Sequence, residues 1–161
     1  MRCQGRLPLG GAVIPAYFET RFRLPTPPRA WPHRFAIISA CATTGHRWSD
    51  KDTRDADLQL ATALAARGGW YTRITGYSPV TGHAELSWAA DLEFDEACDL
   101  GFRFKQDAIY LVQDDTLWVS HCDHQRMPVM VGSFRERVDT VAAELVARPV
   151  LSHTRVLRIP A

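Results

Sequence analysis

Residues 35–69 read FAIISACATTGHRWSDKDTRDADLQLATALAARGG, and the way this stretch divides sets the fold. Phe35–Cys41 is apolar at nearly every position, the pattern of a strand covered on both faces, and it is placed centrally in a sheet. Ala42–Asp50 is a polar loop carrying hydroxyls, His46 and Trp48. Ser49 followed three residues later by Asp52 resembles a capping box with Asp in place of Glu, which starts a helix near Asp50. Leu58, Ala61, Leu64 and Ala65 then recur at helical spacing, with Asp55, Asp57 and Arg67 off that stripe. Gly68-Gly69 supplies a left-handed stop.

Downstream, Trp70–Gly76 is rich in aromatic and β-branched residues and runs into the turn-like segment Tyr77–Gly82, predicting a hairpin. In its second strand, His83–Asp91, strict alternation puts Ala84, Leu86, Trp88 and Ala90 on a core face and His83, Glu85, Ser87 and Ala89 on a polar one. Asp95 caps a second helix to about Lys105, with Ala97, Leu100, Gly101 and Phe104 inward. AIYLVQ and TLWVS around Asp114-Asp115 read as another hairpin. Met127–Val131 is a short apolar run. Ser133 with Glu136 then starts a third helix with a stripe of Val138, Val141, Ala142 and Leu145, stopped by Pro149. Thr154–Ile159 reads as a last edge strand.

Upstream, Tyr17–Leu24 alternates like an edge strand, and the prolines of PTPPRAWPH make a connector. Residues 1–15 are expected to form a flexible tail and 16–161 a single domain. The expected class is α+β, with a mixed, mostly antiparallel sheet, a βαββαβ (split βαβ-like) core from Phe35 to Gln113 and three helices.

Nineteen basic against eighteen acidic residues give a net charge of +1. That is short of the footprint of a dedicated nucleic-acid binder, so a nucleic-acid partner is disfavoured. No apolar run reaches the roughly 20 residues of a membrane-spanning helix, and the start of the chain lacks a secretory pattern. Cys3, Cys41, Cys98 and Cys122 are scattered without a CxxC pair, as expected of reduced thiols in the cytoplasm.

The ordered motifs FAIISACATTG, DTRDADLQLATAL, GYSPVTGHAELSW and FRFKQDAIYLV resemble those of the bacterial domain-of-unknown-function 3293 family, across about Tyr17 to Val119. The resemblance implies matched positions at Gly76, Ser78, Glu85, Ser87 and Gln106. Where the family commonly has an Asn-Pro pair and a later Asn, this chain carries Thr43-Thr44 and Thr53. No activity is implied.

Glu85 is the first candidate for chemistry, with Ser78 and His83 brought near it by the hairpin. A carboxylate, an imidazole and hydroxyls together suit acid–base work or hydrogen bonding to a polar ligand, although a solvated sheet face would read the same way. The loop before the first long helix adds Thr43, Thr44, His46 and Ser49 at a helix N-terminus, where anions are favoured. Catalytic candidates are therefore Glu85 and His46; ligand-binding candidates are Thr43, Thr44, Ser49, Ser78, Ser87 and Gln106. No phosphate-loop or dinucleotide motif occurs, and no cofactor is implied. Cys41 reads first as a buried small hydrophobe and second as a thiol nucleophile. His121-Cys122-Asp123-His124 lacks a second ligand pair, so no metal is assigned. The expected role is recognition of a small polar or anionic ligand, with catalysis left open. The alternative is an interaction module that binds another macromolecule through Trp48, Trp31 and the arginines Arg21, Arg23, Arg29 and Arg34.

Overall fold

The computed structural model describes residues 15–42 and 48–139. In chain order they form α1 (Ala16–Glu19), β1 (Arg21–Arg23), β2 (Arg34–Ser39), α2 (Asp50–Arg67), β3 (Tyr71–Tyr77), β4 (Ala84–Ala90), α3 (Phe94–Arg103), β5 (Ala108–Gln113), β6 (Thr116–His121), β7 (Val129–Ser133), a 3-10 turn (Arg135–Arg137) and β8 (Val138–Asp139). Among the described residues the strands make one eight-stranded sheet, in the order β7-β6-β5-β2-β4-β3-β1-β8. Every pairing is antiparallel except that of β1 with β8. The expected α+β class and mixed, mostly antiparallel sheet are what the structure shows.

β2 lies between β4 and β5, as its unbroken apolar run predicts. Its odd and even residues enter different cores. Ala36 and Ile38 pack under α2 and α3 with Leu60, Leu64, Ala97 and Cys98. Phe35 and Ile37 join an aromatic core with Phe22, Ile74, Val112 and Phe134. The inner order β5-β2-β4-β3 is the split βαβ arrangement, in which each helical crossover skips one strand position, filled by β4 between β2 and β3 and by β2 between β4 and β5.

The α2 capping box forms as read: Ser49 Oγ accepts the Asp52 N–H at 3.0 Å, and the Asp52 carboxylate accepts the Ser49 N–H at 3.3 Å. Gly68, at φ +75°, ends the helix. The buried stripe matches the expected one at Leu64 but not at Leu58 or Ala65. Leu60 and Leu64 face the core while Leu58 is 66% exposed. Asp57, expected outside, is half-buried and receives both Arg73 guanidinium nitrogens, at 2.6 and 2.7 Å, and the Trp88 indole N–H at 3.1 Å. On β4 the alternation holds but the faces carry different burdens: Leu86 is exposed, Trp88 is half-buried under α2, and Ser87 is only 6% exposed. The sheet is covered on both sides there, so the Glu85–Ser87–Ala89 face is no solvated surface. α3 starts at Phe94 with Glu93 as its cap residue, placing Asp95 inside the first turn.

Both ends of the described chain depart from expectation. Tyr17–Leu24 is not one strand: Ala16–Glu19 is a helical turn closed by the Thr20 hydroxyl on the Ala16 carbonyl, and only Arg21–Arg23 is extended. β1 is also internal, between β3 and β8, rather than at the edge. At the other end, Ser133 Oγ accepts the Glu136 N–H at 3.3 Å, so half of the predicted cap forms, but only a 3-10 turn follows. Val138 and Asp139 are pulled into strand β8 instead of a helix, because Arg21 grips Asp139 through two nitrogens, at 2.6 and 3.1 Å, and the Tyr77 hydroxyl donates to the same carboxylate. The rest of that predicted helix and the strand Thr154–Ile159 lie outside the described residues.

The chain passes from β7 at one edge of the sheet to β8 at the other within Ser133–Val138, which curls the sheet about the aromatic core. Phe134, on that bridge, touches the rings of Phe22, Trp31 and Phe35. No helix among the described residues is long and apolar enough to cross a membrane.

Candidate functional site

Along the concave face the side chains change character from one end to the other. Phe35 and Ile37 of β2 are followed on the same face by Ser39, which pairs in register with Ser87 of β4. One step further along β4 is Glu85, whose partner on β3 is Gly76. Glycine offers no side chain there, so nothing from β3 covers the carboxylate.

Gln106 arrives from the other crossover. α3 ends through Lys105 at φ +57°, and the Gln106 N–H bonds back to the Gly101 carbonyl at 2.9 Å, which turns the Gln106 side chain toward the end of β2. Its amide nitrogen donates to the carbonyls of Cys41 at 3.1 Å and Phe104 at 3.0 Å. Both amide protons are thereby committed and the amide orientation is fixed, leaving Oε1 to accept the Ser39 hydroxyl at 2.7 Å. Since Ser39 has one proton and gives it to Gln106, the Glu85 oxygen 3.5 Å from Ser39 Oγ receives little from it. The Cys41 thiol lies in the same cluster, 3.7 Å from Ser39 Oγ and 3.9 Å from Gln106 Oε1, and also bonds the Glu85 carboxylate.

His83 closes the group, with Nε2 2.8 Å from Glu85 Oε1 and each side chain 35% exposed. Its other nitrogen, Nδ1, is buried and has no hydrogen-bond partner. Burial pushes the Glu85 carboxyl up, but the hydrogen bond and charge of His83, with the Cys41 thiol adding to them, outweigh it and hold the group below its ordinary range. The Glu85 hydrogen bond raises His83 in turn. At the back, Tyr110 Oη lies 2.9 Å from the Tyr17 carbonyl and 2.7 Å from Thr20 Oγ1, and the Tyr17 ring stands edge-on to it.

Of the residues proposed from sequence, Glu85 and Gln106 converge on Ser39. Ser87 shares their face but turns along its own strand, donating to the Glu85 carbonyl at 3.4 Å. Ser78 shapes the β3–β4 turn: its hydroxyl accepts the Thr81 N–H at 3.1 Å and its N–H reaches the His83 carbonyl at 2.8 Å, which positions the imidazole. Ser49 is committed to the α2 cap. Thr43, Thr44 and His46 lie outside the described residues. Ser39 was the residue that sequence reading passed over. The signal was present, a hydroxyl two positions past Ile37 on the same strand face.

The remaining candidates have other partners. Cys122 is buried against α3 so closely that a Cβ on Gly101 would lie 2.6 Å from its sulfur, and burial pushes its thiol up to about 12. Among the described residues no group of three or more His, Cys, Asp or Glu side chains could hold a metal. Arg21 binds Asp139, Arg23 lies 3.7 Å over the Tyr77 ring and Arg34 pairs with Glu93. Trp31 stacks on Phe35 in the core rather than presenting an open surface. A hollow of about 320 Å³ lined by Pro32, His33, Arg34, Asp91 and Gln113 sits at the far end of β2 and does not include the Glu85 cluster.

Residues 38–109, from the end of β2 to the start of β5, match the family described as Protein of unknown function (DUF3293), which bears out the resemblance read from the sequence over that stretch. Neither curated proteins nor solved structures give a match.

Proposed function

We propose that this DUF3293 chain recognises a small polar ligand at the Glu85 end of its concave face, and that it does so in the bacterial cytoplasm. One observation carries the proposal. A part-exposed carboxylate, held ionised, stands at the polar end of an otherwise apolar sheet interior, among side chains already fixed by Gln106 and His83. Polar groups fixed before binding lose little freedom when a ligand arrives. The family resemblance supports the bacterial setting. The buried thiols Cys98 and Cys122, in no disulfide, support a reducing compartment.

Support for an anion at the α2 N-terminus is weaker. Asp50 and Asp52 already offset the helix dipole there, and the capping box takes up the Asp52 N–H. The interaction-module alternative draws its support from β7, an edge strand with Met127, Val129 and Met130 exposed beside or within it.

The test is two-dimensional amide NMR of the labelled protein against a mixed library of amines, sugars, carboxylates, phosphates and nucleosides. Shifts concentrated at Ser39, Gly76, His83–Glu85 and Gln106 are expected. A library that leaves those resonances unmoved overturns the proposal.

A further inference from the structure

The hydrogen-bond inventory of this cluster narrows the ligand class, on the premise that the Glu85 end is the binding site. The donors among its described side chains are few and engaged. Gln106 gives both amide protons to backbone carbonyls, and Ser39 gives its single proton to Gln106. The Cys41 thiol has one weak proton to share among Ser39, Gln106 and Glu85. His83 satisfies one carboxylate oxygen, Oε1, at 2.8 Å. Acceptor capacity is plentiful by comparison. Among the described residues, the one hydrogen-bond contact given to Glu85 Oε2 is a hydroxyl oxygen at 3.5 Å whose proton points elsewhere, and Ser39 Oγ and Gln106 Oε1 each keep a lone pair.

The surrounding charge has the same sign preference. Tyr17 is raised first by burial and then by Asp107, with Glu85 adding to it, and the raised Tyr110 also feels Glu85. The nearby positive charge of Arg137 is directed at the carbonyls of Phe18, Thr20 and Val131. His83 shows the geometry by which a cation meets this carboxylate, N–H against Oε1, with Glu85 still 35% exposed for a second donor.

We infer that the Glu85 site takes a cationic hydrogen-bond donor, a primary ammonium or a guanidinium group on a small molecule, with Glu85 Oε2 as its counter-ion and Ser39 Oγ and Gln106 Oε1 as further acceptors. Apart from the buried His83 Nδ1, no uncommitted side-chain donor among the described residues of the cluster is left to receive an anionic group beside Glu85, which disfavours carboxylates and phosphates at this position.

Amide NMR titrations with individual probes test this: putrescine, agmatine and ethanolamine against the uncharged butane-1,4-diol and the anions succinate and inorganic phosphate. The amines are expected to shift Ser39, His83, Glu85 and Gln106 and the diol and anions to leave them in place. Glu85→Gln should weaken the best amine by roughly 10-fold or more, as loss of a charge-assisted bond implies. Leu86→Gln, on the opposite face of β4, should leave the affinity unchanged. If succinate, phosphate or the diol binds at these resonances and the amines do not, the cation inference fails while the site stands. If amines shift only other surfaces, or Glu85→Gln binds them as well as the parent does, the inference fails outright. If no probe moves the cluster, the cation inference fails for small amines, and the site itself is judged by the wider library.

Discussion

The two ends of the concave face are built from the same strands and differ in what fixes them. At one end Phe35, Phe22, Phe134, Trp31 and Trp70 interlock, with ring centroids 4.8–5.9 Å apart. Nothing polar is needed there, and burial of large rings supplies the stability. At the other end the same alternation of β2 and β4 delivers Ser39, Ser87 and Glu85, and order comes from directed bonds. The apolar end can repack around a change of shape, whereas the polar end has a fixed count of donors and acceptors. A fold that needed only stability would gain more from continuing the aromatic core. Replacing a satisfied polar network by apolar side chains is often neutral or stabilising. Retaining a part-exposed carboxylate is therefore the feature that points to recognition.

Truncation at the aromatic end should produce the largest effect. Phe35 is 1% exposed and touches Trp31, Trp70 and Phe134, so Phe35→Ala is expected to cost about 3–5 kcal/mol in urea unfolding. A loss below about 1 kcal/mol would mean that this end is no core, and the contrast would collapse. Gln106→Leu comes next. It strands the carbonyls of Cys41 and Phe104 and the Ser39 hydroxyl, and should cost about 1–3 kcal/mol, read by the same measurement. An unchanged midpoint would show that water replaces Gln106 freely and that the polar end is not preorganised.

How much of this was legible in the sequence varied with the range of the interaction involved. β2 as a central strand, the Ser49–Asp52 cap and the hairpin over Asp114-Asp115, at φ +50° and +74°, are local patterns, and they were read correctly. The apolar residues of α2 are spread round the helix, so periodicity could not decide between the Leu58 and Leu60 lines. Arg73 and Trp88 on β3 and β4 decided it by engaging Asp57. Half of the Ser133–Glu136 cap formed, yet Arg21 and Tyr77, far away in sequence, drew Asp139 into a strand. The site shows the same limit. Glu85 stood out by its strand position, but the Ser39–Gln106 bond spans 67 residues of chain, and only the folded sheet shows that Gln106 has no proton left to offer a ligand.

The smallest effect tests whether the polar end carries working charges. Glu85 is held below, and His83 above, its ordinary value, each mainly answering the other. The stabilisation from ionised Glu85 is complete above its unfolded value of about 4.3 and is lost as pH falls through the lower folded value. That from protonated His83 is complete below about 6.5 and is lost as pH rises through its raised folded value. Both are present in full only between about pH 4.5 and 6.5. Glu85→Gln keeps the shape and removes the charge, so it should destabilise most near pH 5.5, by no more than about 1 kcal/mol because the pair is part-exposed. The difference from the parent should shrink as pH rises through the raised folded value of His83, and again as pH falls through the lowered folded value of Glu85. Thermal melts of both proteins across that range read the profile directly. A difference that stays flat with pH would show that Glu85 and His83 share a hydrogen bond without a charge between them. The polar end would then differ from the aromatic end in composition alone, and the carboxylate would lose its claim on a cation.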